Sequence, residues 1–227
     1  GLGCTLEYGR DPGSDVLQAL RTVKAIRPSQ LCDALNVTAL VDVRNPLCGL
    51  TGATVVYGPQ KGVLPAQLDA FDRAIAHFAG IVRRDVRHVN TGAPGMGAAG
   101  GLGFACAAFC GASLRSGSAF VRHTSGFTKA VANADLVITG EGRIDGQTRE
   151  GKTISGIIED ANARGVPVVA VAGSVAGPPE TSAATLGLTR IIPVLPPGMS
   201  AEEGMRDAET LLAAALRDVW PSISSAR

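Results

Sequence analysis

Apolar residues along this chain follow two periods that alternate. Between Ser14 and Ile26 they fall at Val16, Leu17, Leu20 and Val23, a spacing that predicts a helix with Ser14 as its cap. Val37 to Val43 reads as a strand, apolar at Val37, Ala39, Leu40, Val41 and Val43, with Asp42 the exception near its end. Pro65 to Val82 returns to the helical period, with Leu68, Phe71, Ile75, Phe78, Ala79 and Val82 on one face and Pro65 in the first turn. Gly92 to Gly103 is glycine-rich and runs into a small-residue helix through Phe109, and a break is expected over Gly111 to Gly126. Leu136, Val137 and Ile138 form an apolar run that stops at Thr139 and Gly140. Beyond it the pattern predicts helix Thr153–Arg164, strand Val166–Val171, a loop at Gly173 and Ser174, strand Arg190–Val194 and helix Ser200–Trp220. Strands alternating with helices predict an α/β fold with a parallel sheet. Gly1 to Arg10 carries no firm assignment, and Asp11, Pro12 and Gly13 form a turn.

Composition narrows the function classes. A formal net charge of +1 offers no electrostatic attraction for nucleic acid or an anionic membrane, so a small molecule is the expected partner. No apolar stretch approaches the roughly 20 residues of a membrane helix. The five cysteines form no CxxC pair and their count is odd, which predicts reduced thiols and a cytoplasmic protein. The chain opens at Gly1 without a signal-peptide pattern, and is expected to be N-terminally incomplete.

Candidate chemistry concentrates where strands end. Glu141, Arg143 and Asp145 fall at alternate positions and would point the same way in an extended segment. Such a triplet can accept a hydroxyl proton, hold magnesium, or form a structural ion-pair cluster, and the local pattern leaves all three open. Asp42 with Asn45 is a second oxygen-rich corner, for which an Asx turn before Pro46 is the plainer reading. Gly146 to Thr153 matches GxxxxGKT, but Gly140 to Asp145 are expected to intervene between strand and first glycine, against a P-loop. What survives is a glycine loop entering a helix near Lys152, an arrangement suited to phosphate. Gly95-x-Gly97-x-x-Gly100 has dinucleotide-fingerprint spacing without a clear strand before it or an acidic residue after a second strand. His77, His88 and His123 show no zinc spacing, and Cys106 with Cys110 reads as core packing.

Three segments together resemble one family: DVRNPLCGLTGATVVYGPQKG at Asp42–Gly62, PGMGAAGGLGFA at Pro94–Ala105, and DLVITGEGRIDGQTREGKTISG at Asp135–Gly156. They are similar to the bacterial glycerate kinases of the glyoxylate- and galactarate-pathway type, and the likeness extends through VPVVAVAGS at Val166–Ser174. The resemblance implies ATP-dependent phosphorylation of D-glycerate, to 2-phosphoglycerate in most members, with Mg2+. It implies a Rossmann-like three-layer α/β/α domain built from both chain ends, with a second α/β domain inserted. Members are longer than this chain, and their APDSFKGS-like and GGSATNDGG segments are missing here. Residues 1–112 are therefore expected to be part of the inserted domain, and 113–227 the C-terminal part of the Rossmann-like domain.

On matching positions the resemblance points to Asp42, Asn45, Gln60, Lys61, the Gly97 to Gly101 loop with Gly100, and Glu141, Arg143, Asp145 and Lys152 as cleft residues. Since phosphoryl transfer is mainly positioning and charge neutralisation, Lys61, Arg143 and Lys152 are expected at phosphate or the glycerate carboxylate. Asp145 or Glu141 is expected at Mg2+ or the hydroxyl proton. The alternatives are a truncated ligand-binding or regulatory domain without catalysis, and a P-loop kinase of unrelated fold. Oligomeric state is not legible.

Overall fold

A computed structural model describes residues 4–28, 35–145, 148 and 152–224, with the backbone alone described at 152–153 and 222–224. The chain divides into two compact units, Gly1–Gly117 and Ser118–Arg227.

In the first unit β1 (Thr5–Tyr8) pairs antiparallel with β2 (Val23–Arg27), and α1 (Val16–Thr22) lies between them in sequence. The helix expected from Ser14 to Ile26 thus ends early. Asp15 rather than Ser14 caps it, accepting the N–H groups of Leu17 and Gln18, and Val23 turns to extended backbone at ψ 130. Val23 opposes Tyr8 while Ala25 opposes Glu7, so Lys24 is the extra residue of a β-bulge. That bulge brings Val23 and Ile26 to the same face, where they are 2% and 3% exposed. A strand without it would send residues three apart to opposite faces. The i, i+3 spacing that mimics a helix is therefore the spacing of a bulged strand.

β3 (Thr38–Val41) and β4 (Ser113–Ser116) form a parallel pair. Between them the chain builds α2 (Ala53–Tyr57), a 3₁₀ turn at Pro59–Lys61, α3 (Leu68–Asp85), a second 3₁₀ turn at Ala98–Gly100, and α4 (Leu102–Cys110). The apolar stripe of α3 packs with Leu47, Met96, Phe104 and Ala108 around Val23 and Ile26, forming one core.

The second unit holds α5 from Gly117 to Thr124, largely within it, α6 (Phe127–Val131), β5 (Val137–Ile144), α7 (Lys152–Asn162), β6 (Val168–Val175), α8 (Pro179–Leu186), β7 (Arg190–Pro193), α9 (Ala201–Arg206) and α10 (Ala208–Ser224). The expected break over Gly111–Gly126 instead contains β4 and α5. The helix expected over Ser200–Trp220 is divided at Asp207, which has non-helical backbone. β5, β6 and β7 form a parallel sheet in that order. β6 is buried on both faces: Val168, Ala170 and Ala172 join Ile154, Ile158 and Ala161 of α7, whereas Val169 and Val171 join Ala215, Leu216 and Val219 of α10. An unbroken apolar run is what such a strand requires, and the unit is a three-layer α/β/α sandwich.

Two strands outrun their apolar runs. β5 continues through Glu141, Gly142 and Arg143 to Ile144, and β6 continues through Gly173 and Ser174, which were expected in a loop. Arg143 is paired with Ser174. Glycine allows the close approach here, since a Cβ on Gly173 would stand 2.5 Å from the Gly142 carbonyl oxygen.

Candidate functional site

The residues singled out by sequence gather at two strand ends, one in each unit. In the first unit, β3 delivers Asp42 and the turn Arg44–Leu47, anchored by Leu47, which is 1% exposed and donates its N–H to the Thr91 carbonyl. The Asp42 carboxylate lies against Gly117, its Oδ1 2.9 Å from where a Cβ would stand. A carboxylate at the residue where a helix begins is electrostatically favoured there.

Asn45 is committed on all sides. Its Nδ2 donates to the Thr51 carbonyl at 2.8 Å, its Oδ1 accepts the Tyr57 hydroxyl at 2.7 Å, and its carbonyl accepts the Gly97 N–H at 2.9 Å. Asn45 thus ties the loop after β3 to α2 and to the glycine loop, and Tyr57, which sequence reasoning missed, is its partner. Burial pushes the Tyr57 hydroxyl pKa up from its ordinary value.

The glycine loop sits close against this corner. A Cβ on Gly97 would collide with the Pro46 carbonyl, so glycine is required by contact. Ala99 follows with φ 52 and ψ 32, a left-handed conformation rare outside glycine, and Gly100 and Gly101 also have positive φ. Lys61 Nζ lies 3.0 Å from the Cβ position of Gly100. The structure therefore brings together Lys61, Gly97, Gly100, Gly101 and Asn45, with α4 starting at Leu102. Gln60 is exposed on the same 3₁₀ turn as Lys61. The dinucleotide reading fails here, because the chain reaches Gly95 from α3 and a turn at Asn90–Ala93 rather than from a strand.

In the second unit, Glu141, Arg143 and Asp145 leave β5 at alternate positions. Arg143 Nε is 3.2 Å from Asp145 Oδ2, while Glu141 is exposed. Asp145 is held through its backbone: its N–H donates to Thr148 Oγ1 at 3.0 Å, and its carbonyl accepts the Thr148 N–H at 3.0 Å. Thr148 is 4% exposed, an unusual burial for a loop hydroxyl. Sequence reasoning passed over it because it sits among the variable positions of the GxxxxGKT match. Lys152 is the first residue of α7, and its side chain, like Gly146 and Gly151, falls outside the described residues. Because β5 runs to Ile144, the intervening residues counted against a P-loop belong mostly to the strand.

Among the described residues, no group of three or more His, Cys, Asp or Glu is placed to hold a metal ion. Mg2+ in kinases is commonly held by one or two carboxylates plus substrate phosphates rather than by a protein cage, and Asp145 or Glu141 at the end of β5 fits that donor set. No described helix is long and apolar enough to cross a membrane.

A profile of the Glycerate kinase family matches residues 3–224. The chain is 38% identical to a glycerate kinase of Halalkalibacterium halodurans over 207 residues, covering 91% of this chain and 54% of that protein. It is 41% identical to glycerate 2-kinase of Escherichia coli K12 over 133 residues, covering 59% of this chain and 35% of that protein. A crystal structure of a protein assigned as glycerate kinase 2 from Salmonella typhimurium LT2 superposes with a TM-score of 0.72 at 35% identity, over 99% of this chain and 59% of that one. The chain spans about half the length of curated relatives such as the first of these, 54%. The family match runs through all three quoted segments, and a P-loop kinase of unrelated fold is not favoured. With the glycine loop on Lys61 and the Arg143–Asp145 pair both lying inside the matched span, the chain belongs to the glycerate kinase family.

Proposed function

We propose that the whole protein of which this chain is part transfers the γ-phosphoryl group of ATP to D-glycerate, giving 2-phosphoglycerate and ADP, in the cytoplasm. The observation that carries this reading is the pinned end of β5, where Arg143 pairs with Asp145 and the buried Thr148 hydroxyl holds the Asp145 backbone, inside a chain matched to this family. Mg2+, when bound, neutralises charge on the phosphates. Lys61, Arg143 and Lys152 take phosphate oxygens or the glycerate carboxylate. Asp145 and Glu141 divide two tasks, one holding the metal and the other accepting the substrate hydroxyl proton as its oxygen attacks phosphorus. Asp42, Asn45, Gln60 and the Gly97–Gly101 loop are the substrate- or phosphate-binding residues of the first unit.

The same reading takes residues 1–112 as part of an inserted α/β domain and 113–227 as the C-terminal part of a Rossmann-like domain. Support comes from the three-layer arrangement around β6. The experiment is an ADP-release assay on the full-length protein with D-glycerate, ATP and Mg2+, its product passed directly to enolase. Immediate conversion identifies 2-phosphoglycerate, and conversion only after a mutase is added identifies the 3-isomer. Binding of ATP and glycerate without ADP release supports a non-catalytic binding domain instead.

A further inference from the structure

The first unit contains a cavity of about 520 Å³ bounded by the β1–α1 connection, the end of α1, the bulge of β2 and one side of α3. Arg10, Arg21, Lys24, His77 and Arg84 line it, and none of the described residues that line it is acidic. The chain as a whole has a formal net charge of only +1, so five basic side chains on one wall do not simply reflect overall charge.

Three nearby carboxylates are occupied elsewhere: Asp15 caps α1, Asp11 accepts the Gly13 N–H and Glu7 pairs with Arg27. A fourth, Asp85, pairs with Arg84 of the cavity wall. Arg10 donates to the neutral amide oxygen of Gln18 at 2.6 Å. Among the described residues no carboxylate pairs with Arg10, Arg21 or Lys24. Two of the cations are fixed rather than loosely solvated: Arg84 Nη2 donates to the Lys24 carbonyl at 2.7 Å, and the Lys24 stem lies across Gly9. His77 Nε2 is 3.0 Å from the Val23 carbonyl oxygen, which turns the rest of the ring to the cavity. The bulge is what aims Lys24 into it, a known use of bulges. Val23 and Ile81, 2% and 8% exposed, close its floor.

We infer that this cavity is a binding site for a small organic anion carrying a phosphate or comparable multivalent group, its carbon body along the alkyl stems of Arg21 and Lys24 and its charge on the head groups of Arg10, Arg21 and Lys24. The full-length protein, labelled at histidine, is titrated with inorganic phosphate and with glycerol 3-phosphate while the imidazole resonances are followed. The His77 signals move saturably with both probes, with the ester half-saturating at the lower concentration, whereas His88 and His123, which do not line the cavity, serve as references. In the Arg21→Gln/Lys24→Gln variant, half-saturation rises on the order of tenfold or more, and circular dichroism checks that the fold is kept. His77 signals that stay fixed with both probes, or half-saturation unchanged in the variant, overturn the site. Movement with phosphate but not with the ester overturns the organic ligand. Turnover of D-glycerate, measured on the same samples, is unchanged by the substitutions and tests the kinase reading separately.

Discussion

Gly156 in α7 offers a sign test of how the second unit is held. Arg122 of α5 pairs with Asp160 of α7 at 2.9 Å, the two side chains being 15% and 29% exposed. Its guanidinium crosses Gly156 so closely that a Cβ there would lie 2.5 Å from Cζ. Breaking a fully buried pair costs about 3–5 kcal/mol, and an exposed pair is worth about 0.2–1 kcal/mol. The intermediate burial places Arg122→Ala at about 2 kcal/mol. Gly156→Ala gains about 1 kcal/mol of helix propensity, but the methyl group displaces the guanidinium and forfeits the pair. The single substitution should therefore be net destabilising by about 1 kcal/mol, and in the Arg122→Ala background it should be stabilising by about 1 kcal/mol. Urea denaturation of the four proteins closes the cycle, with a coupling energy of about 2 kcal/mol. If Gly156→Ala stabilises both backgrounds equally, the guanidinium does not occupy that groove and the reasoning fails.

Thr148→Val keeps the shape of a 4% exposed side chain but leaves the Asp145 N–H without its acceptor, a cost of about 1–3 kcal/mol. Turnover should fall roughly 10- to 100-fold, as expected of a misplaced group, with KM little changed and Thr148→Ser restoring it; unchanged kcat refutes the anchoring role. Asp145→Asn combined with Lys152→Met should reduce turnover with thermal stability retained, and wild-type turnover would remove this loop from the reaction. The Arg84 guanidinium, and after it the Ile26 N–H, holds the Asp85 carboxyl down from 3.8 to about 2. A folded pKa below the unfolded one gives stability present above about pH 4 and lost as pH falls towards about 2, so Asp85→Asn should flatten acid unfolding in that window. Burial, and then the Asp72 charge, pushes the Cys48 thiol up to about 11. Alkylation of Cys48 at pH 9, where an ordinary thiol of pKa 9.0 is half ionised, should therefore lag that of a model thiol, and Asp72→Asn should quicken it.

What the sequence made legible was whatever is written in continuous apolar runs or long periodic faces. β6 and α3 are of that kind, one buried on both sides and the other carrying a single broad stripe. Elements that owe their conformation to a neighbour were not legible. β5 continues through Glu141 to Arg143 because Ala172 and Ser174 are there to pair with it. The bulge at Lys24 reproduces helical spacing in a strand because only the partner strand reveals which residue is extra. At the candidate site, charged and glycine positions stood out as chemical types. The groups that hold them did not: Thr148 and Tyr57 look ordinary until their hydroxyls are seen meeting Asp145 and Asn45.

The pairing of β3 with β4 also sets the size of the loop that carries the glycine corner. Thr38 and Ser113 face each other across a separation of 75 residues, and everything from Asp42 to the end of α4 is one excursion between them. Closing a loop of that length costs about 4 kcal/mol of chain entropy before any contact inside it is repaid. The corner of Lys61, Asn45 and Ala99 lies wholly inside that excursion, and its own contacts, Asn45 to Gly97 and Lys61 to Gly100, close shorter loops at lower entropic cost.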